Sequence, residues 1–220
     1  MLEIYQALLA HYGPQGWWPS DGPFETIAGA ILGQNTAWRN AEKAIKNLKH
    51  AGVLSPEHIR SIPDGDLALL IRPSGYFNSK TKKLKAIANY LLEYDDDFDK
   101  MNRREPKELR SSLLEVYGIG PETADDIVLY ALGLPSFVVD NYTRRILTRL
   151  GVQVGREKYE VLQALFEENL SRDSELFKEY HALFDRHAIA TCFKRRPACQ
   201  ECCILNFCDM GIRLVHSGYT

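Results

Sequence analysis

Five cysteines lie within a single short segment near the end of the chain, CFKRRPACQECCILNFC. Four of them, Cys192, Cys199, Cys202 and Cys208, have the spacing C-x6-C-x2-C-x5-C. Thiolates crowded this closely repel one another unless a cation neutralises their charge. The spacing therefore predicts a metal centre, and four thiolate ligands suit either zinc or a [4Fe–4S] cluster. We expect the fifth, Cys203, to be a small buried residue beside that centre.

A second candidate segment is the turn in YGIGPETADD, residues 117–126. Gly118 and Gly120 can take backbone angles that are costly for other residues, and they allow another molecule to approach closely. Pro121 suits the first turn of a following helix. The amides at that helix start suit an anion such as a DNA phosphate. Alone, however, this turn is more typical of a plain helix–helix connection.

About twenty residues further on, the segment FVVDNYTRR places Asp140 after an apolar run and before a helix. An aspartate in this position is a good N-cap, because its carboxylate accepts hydrogen bonds from the first free amides of the helix. Capping would also hold the carboxylate rigidly.

The elements that must position these residues are helical. Apolar residues recur with the spacing i, i+3, i+4, i+7 in two clear examples: Ala41, Ala44, Ile45, Leu48 and Ala124, Ile127, Val128, Ala131. Strand-like alternation is scarce, so we predict an all-α fold. The length of 220 residues favours two packed helical lobes over one bundle.

The net charge of −2 argues against a uniformly basic surface, although it allows local basic patches. Such clusters occur around Lys80, Lys82 and Lys83 and around Arg195. No apolar run approaches the roughly 18 residues that a membrane helix needs. The first residues lack the basic region of a signal peptide. We therefore expect a cytoplasmic protein, nucleoid-associated if it binds DNA, without a membrane partner.

The hairpin GIGPETAD, the aspartate of VVDNYTRR and the cysteine tail together resemble the helix-hairpin-helix DNA glycosylases of the endonuclease III superfamily. The resemblance extends from about Phe24 to Cys208 and includes HAIATC, residues 187–192. It implies a glycosylase of base excision repair with a [4Fe–4S] cluster rather than zinc. It also implies a DNA cleft between two lobes. We place the lobes at residues 23–135 and at residues 1–22 with 136–220, and the cluster loop at residues 192–208.

The sequence departs from the bifunctional branch of this family at one position. That branch carries a lysine two residues after the second hairpin glycine, as its Schiff-base nucleophile, and this chain has Glu122 there. A carboxylate cannot form an imine with the sugar. We therefore expect a monofunctional glycosylase without lyase activity by this route.

A narrower resemblance indicates the substrate. The segments WWP, ILGQNTAW, RPSGYFNSKTKKL and GIGPETADDIVLYAL are similar to the 3-methyladenine DNA glycosylase III branch, which has glutamate at the lysine position. Some members of that branch lack the cluster, so the cysteine tail is a departure. We expect action on an alkylated purine such as 3-methyladenine. The alternatives are oxidised, deaminated or mismatched bases, with or without lyase activity, or a DNA-binding iron–sulfur protein that cuts nothing.

The resemblance also assigns roles to individual residues. Asp140 would stabilise positive charge on the sugar and orient or deprotonate the attacking water. The flipped base would enter a pocket formed by Trp18, Pro19, Trp38 and Glu122, because indole rings attract a cationic purine.

The remaining assignments concern the DNA partner, a duplex containing a damaged base, which we expect a monomer to bind. Gln34 and Asn35 match the region that fills the space left by the flipped base. The hairpin would bind phosphate, with a monovalent cation on its carbonyl groups. The residues assigned to phosphate contacts are Gly118, Gly120, Lys80, Lys82 and Lys83, together with the region around Arg195.

Overall fold

The chain is helical, as its apolar periodicity predicts. The computed structural model describes residues 1–152 and 158–217, and neither range contains a β-strand. Parts of the predicted second lobe, residues 153–157 and 218–220, lie outside the described residues. Among the described helices, none is long and apolar enough to cross a lipid bilayer.

Thirteen α-helices occur in the described ranges. They are α1 Leu2–Tyr12, α2 Pro23–Gly33, α3 Trp38–His50, α4 Pro56–Ser61, α5 Asp64–Leu70, α6 Phe77–Tyr90, α7 Phe98–Asn102, α8 Pro106–Leu114, α9 Pro121–Asp126, α10 Asn141–Leu150, α11 Tyr159–Glu167, α12 Ser174–Ala190 and α13 Asp209–His216. Shorter helical segments are the 3-10 turns Arg72–Ser74, Leu91–Tyr94, Cys199–Glu201 and Leu205–Phe207, and a π-helical segment, Ile127–Ala131.

Packing divides the chain into two compact units. One comprises Trp18–Leu134, and the other joins Met1–Trp17 to Pro135–Thr220. We call them the hairpin unit and the cysteine unit, after the motifs that they contain. The domain boundaries that we drew from sequence, at residues 22/23 and 135/136, stay a prediction.

Helix α2 lies at the centre of the hairpin unit. Every residue from Phe24 to Leu32 is buried except Glu25, which is partly exposed. A helix that is apolar around its whole circumference is expected inside a core. It packs against α3, α6, α9 and the π-helical segment. The turn that follows α2 is therefore fixed from one side by the core.

A buried ion pair joins the helices on either side of the hairpin. Arg110 of α8 donates its Nε–H to both carboxylate oxygens of Asp125 in α9, at 2.9 and 3.1 Å. The Asp125 side chain is fully buried. The pair fixes α8 relative to α9 and so holds the turn between them.

The cysteine unit is built around α12. Its core is rich in aromatic rings: Phe137 stacks on Phe166 with centroids 3.7 Å apart, and Tyr180 meets both rings edge-on. Helix α12 packs against α1 and α10. The same helix therefore contacts the N-terminal helix and the helix that follows Asp140.

We expect Asp125→Ala to lower the free energy of unfolding by about 3 kcal/mol, because it removes the carboxylate from a buried pair. Urea denaturation monitored by circular dichroism measures this. The matched control is Glu42→Ala, which removes the exposed Lys46–Glu42 pair and should cost at most about 0.5 kcal/mol. Equal losses for the two variants would contradict a stabilising role for the buried pair.

Candidate active site and metal centre

Asp140 lies where an extended segment meets α10. Its backbone is extended, with φ −94° and ψ −174°, and one carboxylate oxygen accepts the backbone N–H of Thr143 at 2.7 Å. The residue is partly exposed. The carboxylate is therefore held in one orientation by the helix that it caps.

The buried segment before Asp140 pairs with no strand in the described part of the chain, so its backbone needs other hydrogen-bond partners. Three side chains of helix α11 supply these partners. The N–H of Phe137 donates to Glu167 at 3.0 Å, and the N–H of Val139 donates to the Tyr159 hydroxyl at 3.0 Å. Gln163 donates to the Phe137 carbonyl at 2.8 Å. Side chains of α11 thus do what a paired strand would do.

Two side chains of α12 accompany Asp140. The ligand atoms of Asp140, His181 and Asp185 all lie within 4.8 Å of one another. Burial lowers the pKa of His181, while the charge of Asp140 acts in the opposite direction. A buried imidazole with a lowered pKa therefore lies beside the candidate catalytic carboxylate. Sequence reasoning missed both residues, although their i, i+4 spacing places them on one helix face.

The hairpin turn depends on its first glycine. Gly118 has φ +84°, and a Cβ added there would lie 2.6 Å from Cδ of Lys83. Gly120 has φ −99° and open space at its Cβ position. Pro121 begins α9, and Glu122 is exposed in its first turn. Of the two hairpin glycines, Gly118 is the one whose backbone conformation and close neighbour require a glycine.

Gln34 is bound to this hairpin. Its side-chain amide donates to the Gly118 carbonyl at 3.2 Å and to the Thr123 hydroxyl at 2.9 Å, and its oxygen accepts from Lys83 at 2.5 Å. Asn35, by contrast, is exposed, with φ +53°. Of the two residues assigned to the space left by a flipped base, Asn35 is the one presented to solvent.

The structure corrects the assignment of Lys80 to phosphate binding. Lys80 is 2% exposed, and its ammonium group donates to the carbonyls of Leu32 and Ser74, both at 2.8 Å. Burial, together with the nearby charge of Lys83, lowers the pKa of Lys80 to about 8. An ammonium buried in this way is not available to a phosphate. Of the other two lysines assigned to phosphate contact, Lys82 is exposed and Lys83 donates to the side-chain oxygen of Gln34.

Three aromatic rings meet in the hairpin unit. Trp18 lies edge-on to Trp38, with centroids 4.9 Å apart, and 5.5 Å from the ring of Tyr130. A Cβ on Gly29 would lie 2.9 Å from Trp18, so this glycine admits the indole. Pro19 is exposed. Sequence reasoning missed Tyr130, which lies in the π-helical segment, a conformation common near functional sites.

Tyr76 is a second residue that sequence reasoning missed. It is 72% exposed and adopts φ +47°, a left-handed conformation that is costly for an aromatic residue. It lies in the turn directly before α6. The only signal in the sequence is its place after Gly75 in SGYFNSK.

The four spaced cysteines line one cavity in the cysteine unit. Burial raises the pKa of Cys199 and Cys208, and that of Cys202 to about 12. Thiolates in this cavity would therefore need a cation. A Cβ on Gly211 would lie 3.3 Å from the Cys208 sulfur, so the glycine keeps the approach to that sulfur open. The donor set fits a thiolate-bound metal centre.

Arg149 connects α10 to this cavity. Its guanidinium donates to the sulfur of Cys192 at 3.0 Å and to the carbonyl of the same residue at 3.1 Å. Its carbonyl lies 3.1 Å from the sulfur of Cys208. One residue at the end of α10 thus contacts the first and the last cysteine of the motif.

Comparison with known proteins shows the family to which this chain belongs. Residues 28–172 match the model of the HhH-GPD superfamily base excision DNA repair proteins. A protein of Methanocaldococcus jannaschii, provisionally named a DNA repair glycosylase, is 43% identical over 94% of both chains. Endonuclease III of Sulfolobus acidocaldarius is 31% identical over 84% of this chain and 81% of its own length.

A solved structure shares the fold. The 3-methyladenine DNA glycosylase MagIII of H. pylori, bound to 1,N6-ethenoadenine, superposes with a TM-score of 0.73 at 29% identity, over 85% of this chain and 96% of its own. The chain belongs to the HhH-GPD superfamily of base excision DNA repair proteins, the DNA glycosylase family. The family and fold predicted from the sequence are confirmed.

We expect Gly118→Ala to lower the free energy of unfolding by about 1–3 kcal/mol, because alanine is strained at this φ and its Cβ would displace Lys83. Gly120→Ala, two residues away, is the matched control and should change stability by much less. Thermal and urea denaturation of the pair test this expectation. A loss confined to the Gly120 variant would contradict it.

Proposed function

We propose that this protein is a monofunctional DNA glycosylase that hydrolyses the N-glycosidic bond of an alkylated purine, such as 3-methyladenine, in duplex DNA. The observation that carries the proposal is the carboxylate at residue 122, where lyases of this family have an amine. A glutamate cannot form the imine on which lyase chemistry depends. Water must then displace the base.

The aromatic set of Trp18, Trp38 and Tyr130 supports a cationic purine as the base. N-alkylation leaves a positive charge delocalised over the purine ring, and indole faces attract such a charge. The partial exposure of all three rings is compatible with stacking on a base. Glu122 and Pro19 complete the proposed base pocket.

Asp140 is proposed to supply the chemistry at the sugar. As the bond from C1′ to the purine nitrogen breaks, its electron pair neutralises the cationic base, so no strong general acid is required. The ionised carboxylate stabilises the positive charge that develops on the sugar. It also orients the water whose oxygen bonds to C1′ and accepts the proton that this water loses. The cap to Thr143 keeps the carboxylate in place.

We propose that two exposed side chains in left-handed turns, Asn35 and Tyr76, contact the DNA around the flipped nucleotide. Their exposure supports this role, and the hydrogen bonds of Gln34 leave its side chain less suited to it. The hairpin amides and Lys82 would contact phosphates. Binding should therefore weaken with salt. The Gly118 carbonyl accepts a hydrogen bond from the Gln34 side chain, and this bond would compete with a cation bound to the hairpin.

The similarity to MagIII supports an adenine-derived substrate, since that enzyme is a 3-methyladenine glycosylase and was solved with ethenoadenine. The similarity to endonuclease III supports a second candidate, the removal of oxidised, deaminated or mismatched bases. Release assays on a panel of such bases distinguish the two candidates.

We propose that Cys192, Cys199, Cys202 and Cys208 hold a [4Fe–4S] cluster. The four cysteines line one cavity, and four thiolates suit either zinc or a [4Fe–4S] cluster. The resemblance of the cysteine motif to that of the endonuclease III superfamily favours the cluster, which would supply a rigid cross-link for the loop.

For the catalytic role, we expect wild-type protein to release 3-methyladenine from methylated duplex DNA and Asp140→Asn to release it about 10²–10⁴-fold more slowly. Asparagine is an equally good N-cap, so the variant should keep its fold and its DNA affinity. Chromatography of released bases and a binding assay measure the two properties.

Failure of the wild type to release any methylpurine would refute the alkylpurine assignment. Borohydride trapping tests the monofunctional assignment separately. The amine that could act as a nucleophile near the hairpin is that of Lys83, which contacts Gln34. We expect no covalent adduct with DNA. A trapped adduct that Lys83→Met abolishes would identify a second nucleophile.

For the cluster, we expect anaerobically purified protein to contain about four iron atoms per chain and to absorb visible light at about 400 nm. Cys199→Ser should lose iron, because it removes a proposed ligand. Cys203→Ser is the matched control and should retain it. Iron loss in the control alone would mean that the ligand set is wrong.

A further inference from the structure

His187 joins the N-terminal helix to the cysteine cavity. It lies on α12, is 1% exposed, and presents a different partner to each ring nitrogen. Nδ1 lies 2.9 Å from the hydroxyl of Tyr12 in α1, which in turn lies 2.8 Å from the Thr191 hydroxyl. Nε2 lies 3.7 Å from the sulfur of Cys202.

We propose that His187 donates its Nε2–H to the sulfur of Cys202 when that cysteine ligates the cluster, and that Tyr12 holds the ring in the tautomer that makes this possible. The inference rests on the proposed cluster and goes beyond it. It assigns His187 as a hydrogen-bond donor to a cluster ligand and Tyr12 of α1 as the residue that positions His187. The role is chemical rather than one of packing alone.

The direction of the hydrogen bond follows from the sulfur. A cluster-bound thiolate carries no proton, so an unprotonated Nε2 would direct its lone pair at an anionic sulfur. A neutral imidazole has one N–H, and the Tyr12 hydroxyl can donate to Nδ1. Nε2 then carries the hydrogen, as in metal sites where an outer partner fixes the histidine tautomer. An imidazolium would also donate from Nε2, so the direction is the same in either protonation state.

Two other cysteines of the motif, Cys192 and Cys208, also accept hydrogen bonds at their sulfurs. Arg149 donates to Cys192 at 3.0 Å, and the amide of Gly211 donates to Cys208 at 3.3 Å. The backbone of Ile204 also forms a hydrogen bond with the Cys202 thiol, in addition to the contact from the imidazole. His187 is the side-chain donor of the third cysteine, as Arg149 is of the first.

A donor to a ligand sulfur stabilises the more negative, reduced form of a cluster and thus raises its reduction potential. His187→Leu removes the donor but keeps an apolar side chain of moderate size. His187→Gln places an amide N–H near the position of Nε2. We expect the leucine variant to shift the ratio of reduced to oxidised cluster about tenfold toward the oxidised form, which is about 59 mV for one electron, and the glutamine variant to remain near wild type.

Protein-film voltammetry of the anaerobically purified, iron-loaded proteins measures these potentials. The control is His58→Leu, because His58 is exposed on α4 in the hairpin unit and its loss should leave the potential unchanged. Tyr12→Phe tests the tautomer and should lower the potential in the same direction as His187→Leu, by a smaller amount. Iron content is determined for every sample.

A leucine variant with full iron and the wild-type potential would overturn the donor role while leaving the cluster proposal intact. If that variant loses its iron, pulsed EPR of wild-type protein labelled with ¹⁵N-histidine decides the question. The paramagnetic cluster should couple to a histidine ¹⁵N and to an exchangeable proton, and absence of this coupling would refute the hydrogen bond. Wild-type protein that contains no iron would overturn the cluster proposal and this inference together.

Discussion

The buried ammonium group of Lys80 joins two parts of the hairpin unit, the last turn of α2 and the turn before α6. Lys80 donates to the carbonyls of Leu32 and Ser74, so the end of α2 is bound to the turn before α6. Burying a charge costs several kcal/mol unless hydrogen bonds replace its hydration. The lowered pKa of Lys80 reflects that cost. Asn35 and Tyr76, two exposed residues with a left-handed backbone, lie in the turns that follow these carbonyls.

A second set of hydrogen bonds adds the hairpin to the same assembly. The side chain of Gln34 contacts the Gly118 carbonyl, Thr123 and Lys83, and the stem of Lys83 lies against Gly118. Three loops are thus held by side chains, while α2 anchors them in the core. The loops proposed to contact DNA gain a fixed geometry in this way without losing their exposed tips, which is the usual division between a rigid scaffold and its functional loops.

In the cysteine unit, hydrogen bonds from side chains also fix the position of a candidate functional residue, Asp140. Asp140 follows a buried extended segment whose backbone is satisfied by side chains of α11, and its carboxylate caps α10. At the other end of α10, Arg149 donates to the first cysteine of the motif. One short helix therefore carries the candidate catalytic carboxylate at its start and a contact to the cysteine motif at its end.

The sequence by itself determined the features that depend on local chemistry. Helical periodicity predicts the all-α fold, the hairpin glycines and Asp140 mark helix starts, and the cysteine spacing predicts a metal centre. The family likeness follows from the order of these motifs, and comparison confirmed it. In each case the signal lies within a few residues of the position that it describes.

Only the tertiary structure decided what long polar and aromatic side chains do. Lys80 looks like part of a basic patch, yet folding brings two carbonyl groups within reach of its ammonium and buries it. Gln34 looks like a free loop residue, yet it is bound to the hairpin 84 residues away. Tyr130 and His187 lie in segments that carry the family resemblance, but their contacts have no local signal. Their partners, Trp18 for Tyr130 and Tyr12 with Cys202 for His187, come from distant parts of the chain. The reason is physical: spacing along the chain sets helix faces and ligand sets, whereas burial and hydrogen bonding depend on which distant groups the packed core brings into contact.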